Sequence, residues 1–80
     1  MIHPLFKLLN RLDVAEYHYS ISRHRPTTVM VTVTFVGERV EVVVFEDGHM
    51  EVSRFPGSED IEGGEELILD LIKENAAKDV

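Results

Sequence analysis

Residues 28–55 read TVMVTVTFVGERVEVVVFEDGHMEVSRF, and this stretch decides the fold. It holds three runs of alternating apolar and polar residues, rich in valine and threonine, cut by two glycine-bearing breaks. Alternation with period two marks strands that bury one face, and β-branched side chains suit a pleated surface. The runs predict strands over 28–36, 39–45 and 49–55. Gly37-Glu38, a two-residue connection with glycine first, suits a type II′ hairpin and would pair Phe35 with Val40, Val33 with Val42 and Val31 with Val44. In the second hairpin, a two-residue Asp47-Gly48 loop would set Val44 opposite Glu51. A three-residue Glu46-Asp47-Gly48 loop sets Val44 opposite Met50 and Val42 opposite Val52, with Gly48 left-handed in a bulge. Only the second keeps one face apolar, because a slip of one residue turns every side chain over.

Outward from this stretch the period changes. Upstream, Tyr17, Tyr19 and Ile21 alternate with Glu16, His18 and Ser20 and predict a strand over 15–23. Before it, Leu5, Leu8, Leu9 and Leu12 fall at helical spacing behind Pro4, which suits a first turn, and predict a helix over 4–12. Downstream, Ile68, Leu71 and Ile72 form a stripe with Glu65 and Glu66 at its start and Lys73 and Lys78 at its end. That charge order favours a helix over 65–77. The segment between, PGSEDIEGG over 56–64, reads as a polar, acidic loop. The expected fold is α+β: a single domain over 1–80, a two-layer α-β-β-β-β-α sandwich with a four-stranded antiparallel meander and both helices packed on one face. The expected core face is Tyr17, Tyr19, Ile21, Val29, Val31, Val33, Phe35, Val40, Val42, Val44, Met50 and Val52.

Composition narrows the function classes. Eighty residues suffice for one small core, burying roughly 60% of the surface of the unfolded chain. There is no cysteine, so disulfides, thiol chemistry and thiolate metal sites are excluded. No apolar run approaches the roughly 18 residues of a membrane span. The opening MIHPLFKLLNRL carries Lys7 and Arg11 within its apolar run and does not read as a signal peptide, so a cytoplasmic protein is expected. The net charge of −7 is uneven: residues 1–45 hold five Lys and Arg against four acids, and residues 46–80 hold three against eleven. Such an acidic half repels phosphate backbones, so nucleic acid is not an expected partner. The helix, antiparallel sheet and final helix are similar in order to the double-stranded RNA-binding domain. That family has three strands and grips phosphates with basic residues at the start of its last helix, where this chain has Glu65 and Glu66.

The expected register lays out the uncovered sheet face in rows: Glu16, Thr34, Glu41, Ser53; then His18, Thr32, Val43, Glu51; then Ser20, Met30, Phe45, His49. Met30, Val43 and Phe45 make an apolar centre edged by His18 and His49, the pattern of an interaction face for a protein partner or a second copy. A second candidate is the acidic docking segment Glu59, Asp60, Glu62, Glu65 and Glu66, which surrounds Ile61. Arg23-His24-Arg25 forms a basic tip that could hold a phosphate or an acidic partner.

Chemistry finds less support. Glu16 with His18, and His49 with Glu51, each put a histidine and a carboxylate on one strand. Yet His18 and Glu51 would lie about three strand spacings, roughly 14 Å, apart, too far to share an ion. Glu16 and Glu41 would flank Thr34 at about 10 Å on a face with no pocket to shift a pKa. No catalytic residue, metal ligand or cofactor is therefore expected. The chain reads as a non-enzymatic protein-interaction or regulatory module, possible as a homodimer through its open sheet face. The alternatives are an acidic mimic of nucleic acid that inhibits a basic DNA- or RNA-binding protein and, third, a small metal-binding or hydrolytic domain.

Overall fold

The computed structural model describes residues 3–55 and 60–78. The chain runs α1 (Pro4–Val14), β1 (Tyr19–Ser22), β2 (Thr28–Phe35), β3 (Glu38–Phe45), β4 (Met50–Phe55) and α2 (Glu65–Lys78). The strands form one antiparallel meander in the order β1-β2-β3-β4. This is the expected α+β class and strand order.

The second hairpin follows its sequence. Val44 stands opposite Met50 and Val42 opposite Val52. Gly48, at φ +92°, donates its N–H to the Phe45 carbonyl at 2.9 Å, and the Phe45 N–H reaches the His49 carbonyl at 2.8 Å. The first hairpin differs. Its turn is Val36-Gly37, with Gly37 left-handed at φ +82°, so Phe35 faces Glu38, Val33 faces Val40 and Val31 faces Val42. The expected pairing is displaced by two residues, and so is that of β1, where Tyr19 faces Val33. A displacement of two keeps every side chain on its face, so the apolar pattern is blind to it. An ion pair accompanies the observed register: Glu38 enters the sheet, and Arg54 donates to its carboxylate through both Nε (3.0 Å) and Nη2 (3.1 Å). This bidentate pair raises the Arg54 pKa above the usual guanidinium value, the hydrogen bond to Glu38 being the largest cause.

α1 runs two residues beyond its expected end, and the strand expected from residue 15 begins at Tyr19. The reason lies in how the helix stops. Glu16 takes φ +60°, its N–H reaches the Asp13 carbonyl and the Tyr17 N–H reaches the Leu12 carbonyl, both at 3.1 Å. This is a Schellman exit with a glutamate at the left-handed position where glycine is usual.

One buried cluster unites the elements. Leu8 and Leu12 of α1 and Ile68, Leu71 and Ile72 of α2 pack with Val31, Val33, Phe35, Val40, Val42, Val44, Met50 and Val52, all from one sheet face. Burying each such side chain contributes about 1.5–3 kcal/mol. Tyr17 and Tyr19 pack against the cluster and Val29 is half-buried, but Ile21, expected in the core, is 52% exposed. The course of α1 explains this. His3, its N-cap, reaches the Glu46 carbonyl at 2.9 Å, and a Cβ on Gly48 would meet Pro4 Cγ at 2.9 Å. At the other end the Tyr19 hydroxyl donates to Asp13 Oδ1 at 2.9 Å. The helix thus starts over the β3–β4 turn and ends over β1, and the corner at Ile21 and Val29 lies off its path.

The acidic segment meets the sheet at its β4 edge. The Val52 N–H donates to the Gly63 carbonyl (2.9 Å), and the Glu62 N–H donates to the Val52 carbonyl (2.8 Å), so a single antiparallel bridge caps that edge. Among the described residues no helix is long and apolar enough to cross a membrane.

Candidate interaction surfaces

The face away from the buried cluster takes its rows from the observed pairings. Ser20, Thr32, Glu41 and Ser53 form one row, and Ser22, Met30, Val43 and Glu51 the next. Thr28 faces Phe45 at one end, and Thr34, Arg39 and Phe55 form the row at the other. Met30 and Val43 are therefore direct cross-strand partners, both half-buried, and Phe45 follows two residues along β3 on the same face.

The histidines separate. His49 is exposed; its ring lies 5.1 Å from that of Phe45, and its Nε2 stands 3.5 Å from Glu51 Oε2. His18 lies before β1, where its carbonyl accepts the Thr34 N–H at 3.2 Å, so it extends the row of Arg39 and Phe55 rather than that of Val43. Glu16 leaves the face altogether in the helix exit, and Glu41 stands opposite Thr32, 3.9 Å from the Arg39 guanidinium. The Glu16–Glu41 pair flanking Thr34 is thus not formed. Among the described residues no three histidine, aspartate or glutamate side chains are grouped to hold a metal ion.

Two features of this face escaped the sequence reading. The Arg25 guanidinium lies 5.6 Å from the Phe45 ring centroid, and that of Arg39 lies 5.0 Å from the Phe55 centroid. Each of these half-buried aromatic rings has a cation over it, a contact of about 0.5–1 kcal/mol near a surface. Phe55 was legible, since it shares the parity of Glu51 and Ser53. The Arg25 contact was not, because it depends on how the 23–27 turn folds back. In that turn Arg23 donates from Nη2 to the Pro26 carbonyl and, at 3.5 Å from Nε, to the Arg25 carbonyl. The Ser22 hydroxyl lies 3.4 Å from His24 Nε2.

In the acidic segment, Asp60, Glu62 and Glu66 are exposed and Glu65 is half-buried at the start of α2; Ile61 is 57% exposed. Glu59 lies outside the described residues. Neither a protein-family model, nor a curated protein, nor a solved structure matches the chain.

Proposed function

We propose that the chain is a non-enzymatic protein-interaction module whose open sheet face joins two copies, with the cytoplasm as its expected setting. The observation that carries the reading is the directly opposed pair Met30 and Val43, apolar and half-buried on the face away from the core, with Phe45 beside it. An isologous contact sets one patch against itself. Here that patch mixes Arg39 with Glu41 and Glu51, so a copy turned through 180° can set cation against acid while the apolar centres meet. The rival, an acidic mimic acting through Asp60, Glu62, Glu65 and Glu66, requires an association that salt weakens steeply, whereas apolar pairing survives high salt.

Light scattering on the eluting protein tests the proposal. Wild type should show twice the 9.1 kDa chain mass. Val43→Lys should run as a folded monomer, because the new ammonium faces Glu51 within the sheet but cannot be buried between two copies. A monomeric wild type, or a dimer that Val43→Lys leaves intact, would overturn it.

A further inference from the structure

The oblique course of α1 leaves a groove of about 400 Å³ at the corner it does not cover. One wall is the start of the helix, with Leu5 and Phe6; the opposite wall is the 23–27 turn, with Arg23 and Pro26; the floor is Val29 and Val44. Phe6, standing off the leucine stripe, is 58% exposed along it. Volume and lining match sites for small organic ligands, which combine an apolar body with few polar anchors.

The charges choose among such ligands. Arg23 and His3 line the groove, and Glu46 is the one acidic residue in its lining. Arg39 and Arg54 each have a carboxylate partner, while among the described residues Arg23 and Arg25 have none, on a chain of net charge −7. The Pro26 and Arg25 carbonyls hold the Arg23 guanidinium through Nη2 and Nε, leaving Nη1 unspent at the rim. The start of α1 competes for no anion: Pro4 has no N–H, the Leu5 N–H donates to His3 Nδ1 at 3.1 Å, and the Phe6 N–H donates to the His3 carbonyl at 2.9 Å. With Nδ1 accepting, the His3 proton sits on Nε2 and is spent on the Glu46 carbonyl.

We propose that this groove binds a small amphipathic carboxylate, its apolar body against Phe6, Val29 and Val44 and its head on the Arg23 guanidinium. Phe45 borders both this groove and the open face, but neither Met30 nor Val43 lines the groove. Arg23, Phe6 and Val29 lie outside the proposed contact, so the site does not rest on the open face joining two copies.

Titration of the full chain with octanoate, followed by amide NMR shifts, tests this, with 1-octanol and octylammonium as neutral and cationic matches. Octanoate should give saturable shifts at Phe6, Arg23 and Val29, and octylammonium none. Arg23→Gln should weaken octanoate at least tenfold. Phe6→Ser, at an exposed position that the fold does not need, should weaken octanoate and octanol alike, and Val43→Lys should change neither. Absence of saturable octanoate binding, shifts mapped elsewhere, or affinity untouched by Arg23→Gln in a folded protein would overturn the proposal.

Discussion

Replacing Glu16 by glycine should make this protein more stable, although it removes a side chain and adds backbone freedom. Glu16 holds φ +60° because the helix exit requires it, with the Tyr17 and Glu16 amides bonded back to Leu12 and Asp13. An L-residue in that region costs about 1–2 kcal/mol. Glycine relieves this cost but gives back about 0.5–1 kcal/mol through the greater freedom of its unfolded chain. A carboxylate at the negative end of a helix adds an unfavourable term of about 0.3–1 kcal/mol, which any neutral residue removes. Glu16→Gly should therefore gain about 1.4 kcal/mol, and Glu16→Ala, which keeps the Cβ and loses only the charge, about 0.3–1 kcal/mol. Urea unfolding followed by far-ultraviolet circular dichroism would read this as a higher midpoint at unchanged slope. The melting temperature of a domain this size should rise by about 4–8 °C per kcal/mol. Equal gains from the two variants would assign the effect to charge and refute the conformational reasoning; a loss from glycine would refute the Schellman exit itself.

Two further outcomes report on single contacts in solution. The Tyr19 pKa is raised, chiefly because its hydroxyl donates to Asp13, with burial and the Asp13 charge adding in the same direction. This contribution to stability is complete below the ordinary phenol range, near pH 10, and is lost as pH climbs through the raised folded value. Ultraviolet titration should place the Tyr19 step above that range, Tyr19→Phe should remove it, and Asp13→Ala should bring it down; a step unmoved by Asp13→Ala would count against the hydrogen bond. Gly37 and Gly48 share a positive φ, but a Cβ on Gly37 meets nothing within 4 Å, whereas one on Gly48 meets Pro4. Gly37→Ala should cost about 1 kcal/mol and Gly48→Ala about 2–3 kcal/mol, measured as unfolding midpoints; equal losses would mean that the helix start does not press on the turn.

How far the sequence carries depends on the size of the shift in question. Odd shifts expose apolar residues, so the Glu46-Asp47-Gly48 loop and the two faces of β2, β3 and β4 were legible from valines alone. Even shifts leave the pattern intact, so it does not choose between Val36-Gly37 and Gly37-Glu38; the observed turn comes with a contact between Glu38 and Arg54, sixteen residues apart, that the alternation does not encode. The error then propagated to the open face, where Met30 was expected beside Phe45 and stands beside Val43 instead. The α1 exit was hidden because Ala15, Glu16 and Tyr17 fit the alternation of a strand, and no glycine announced a stop. The groove depends on the angle at which α1 crosses the sheet, which the spacing of its leucines does not encode.

The bridge between Val52 and Gly63 bears on stoichiometry. A sheet grows by hydrogen bonding along whichever outer strands have amides to spare, and β4 has part of its outer edge occupied by its own chain. Among the described residues β1 is then the one strand whose outer edge no neighbouring segment occupies. Two molecules that met there would each use the one edge that is wholly open, leaving a third only the interrupted edge of β4. Pairing along the whole of β4 would first require the 62–63 segment to peel away, so this short acidic turn hinders lateral growth at that end.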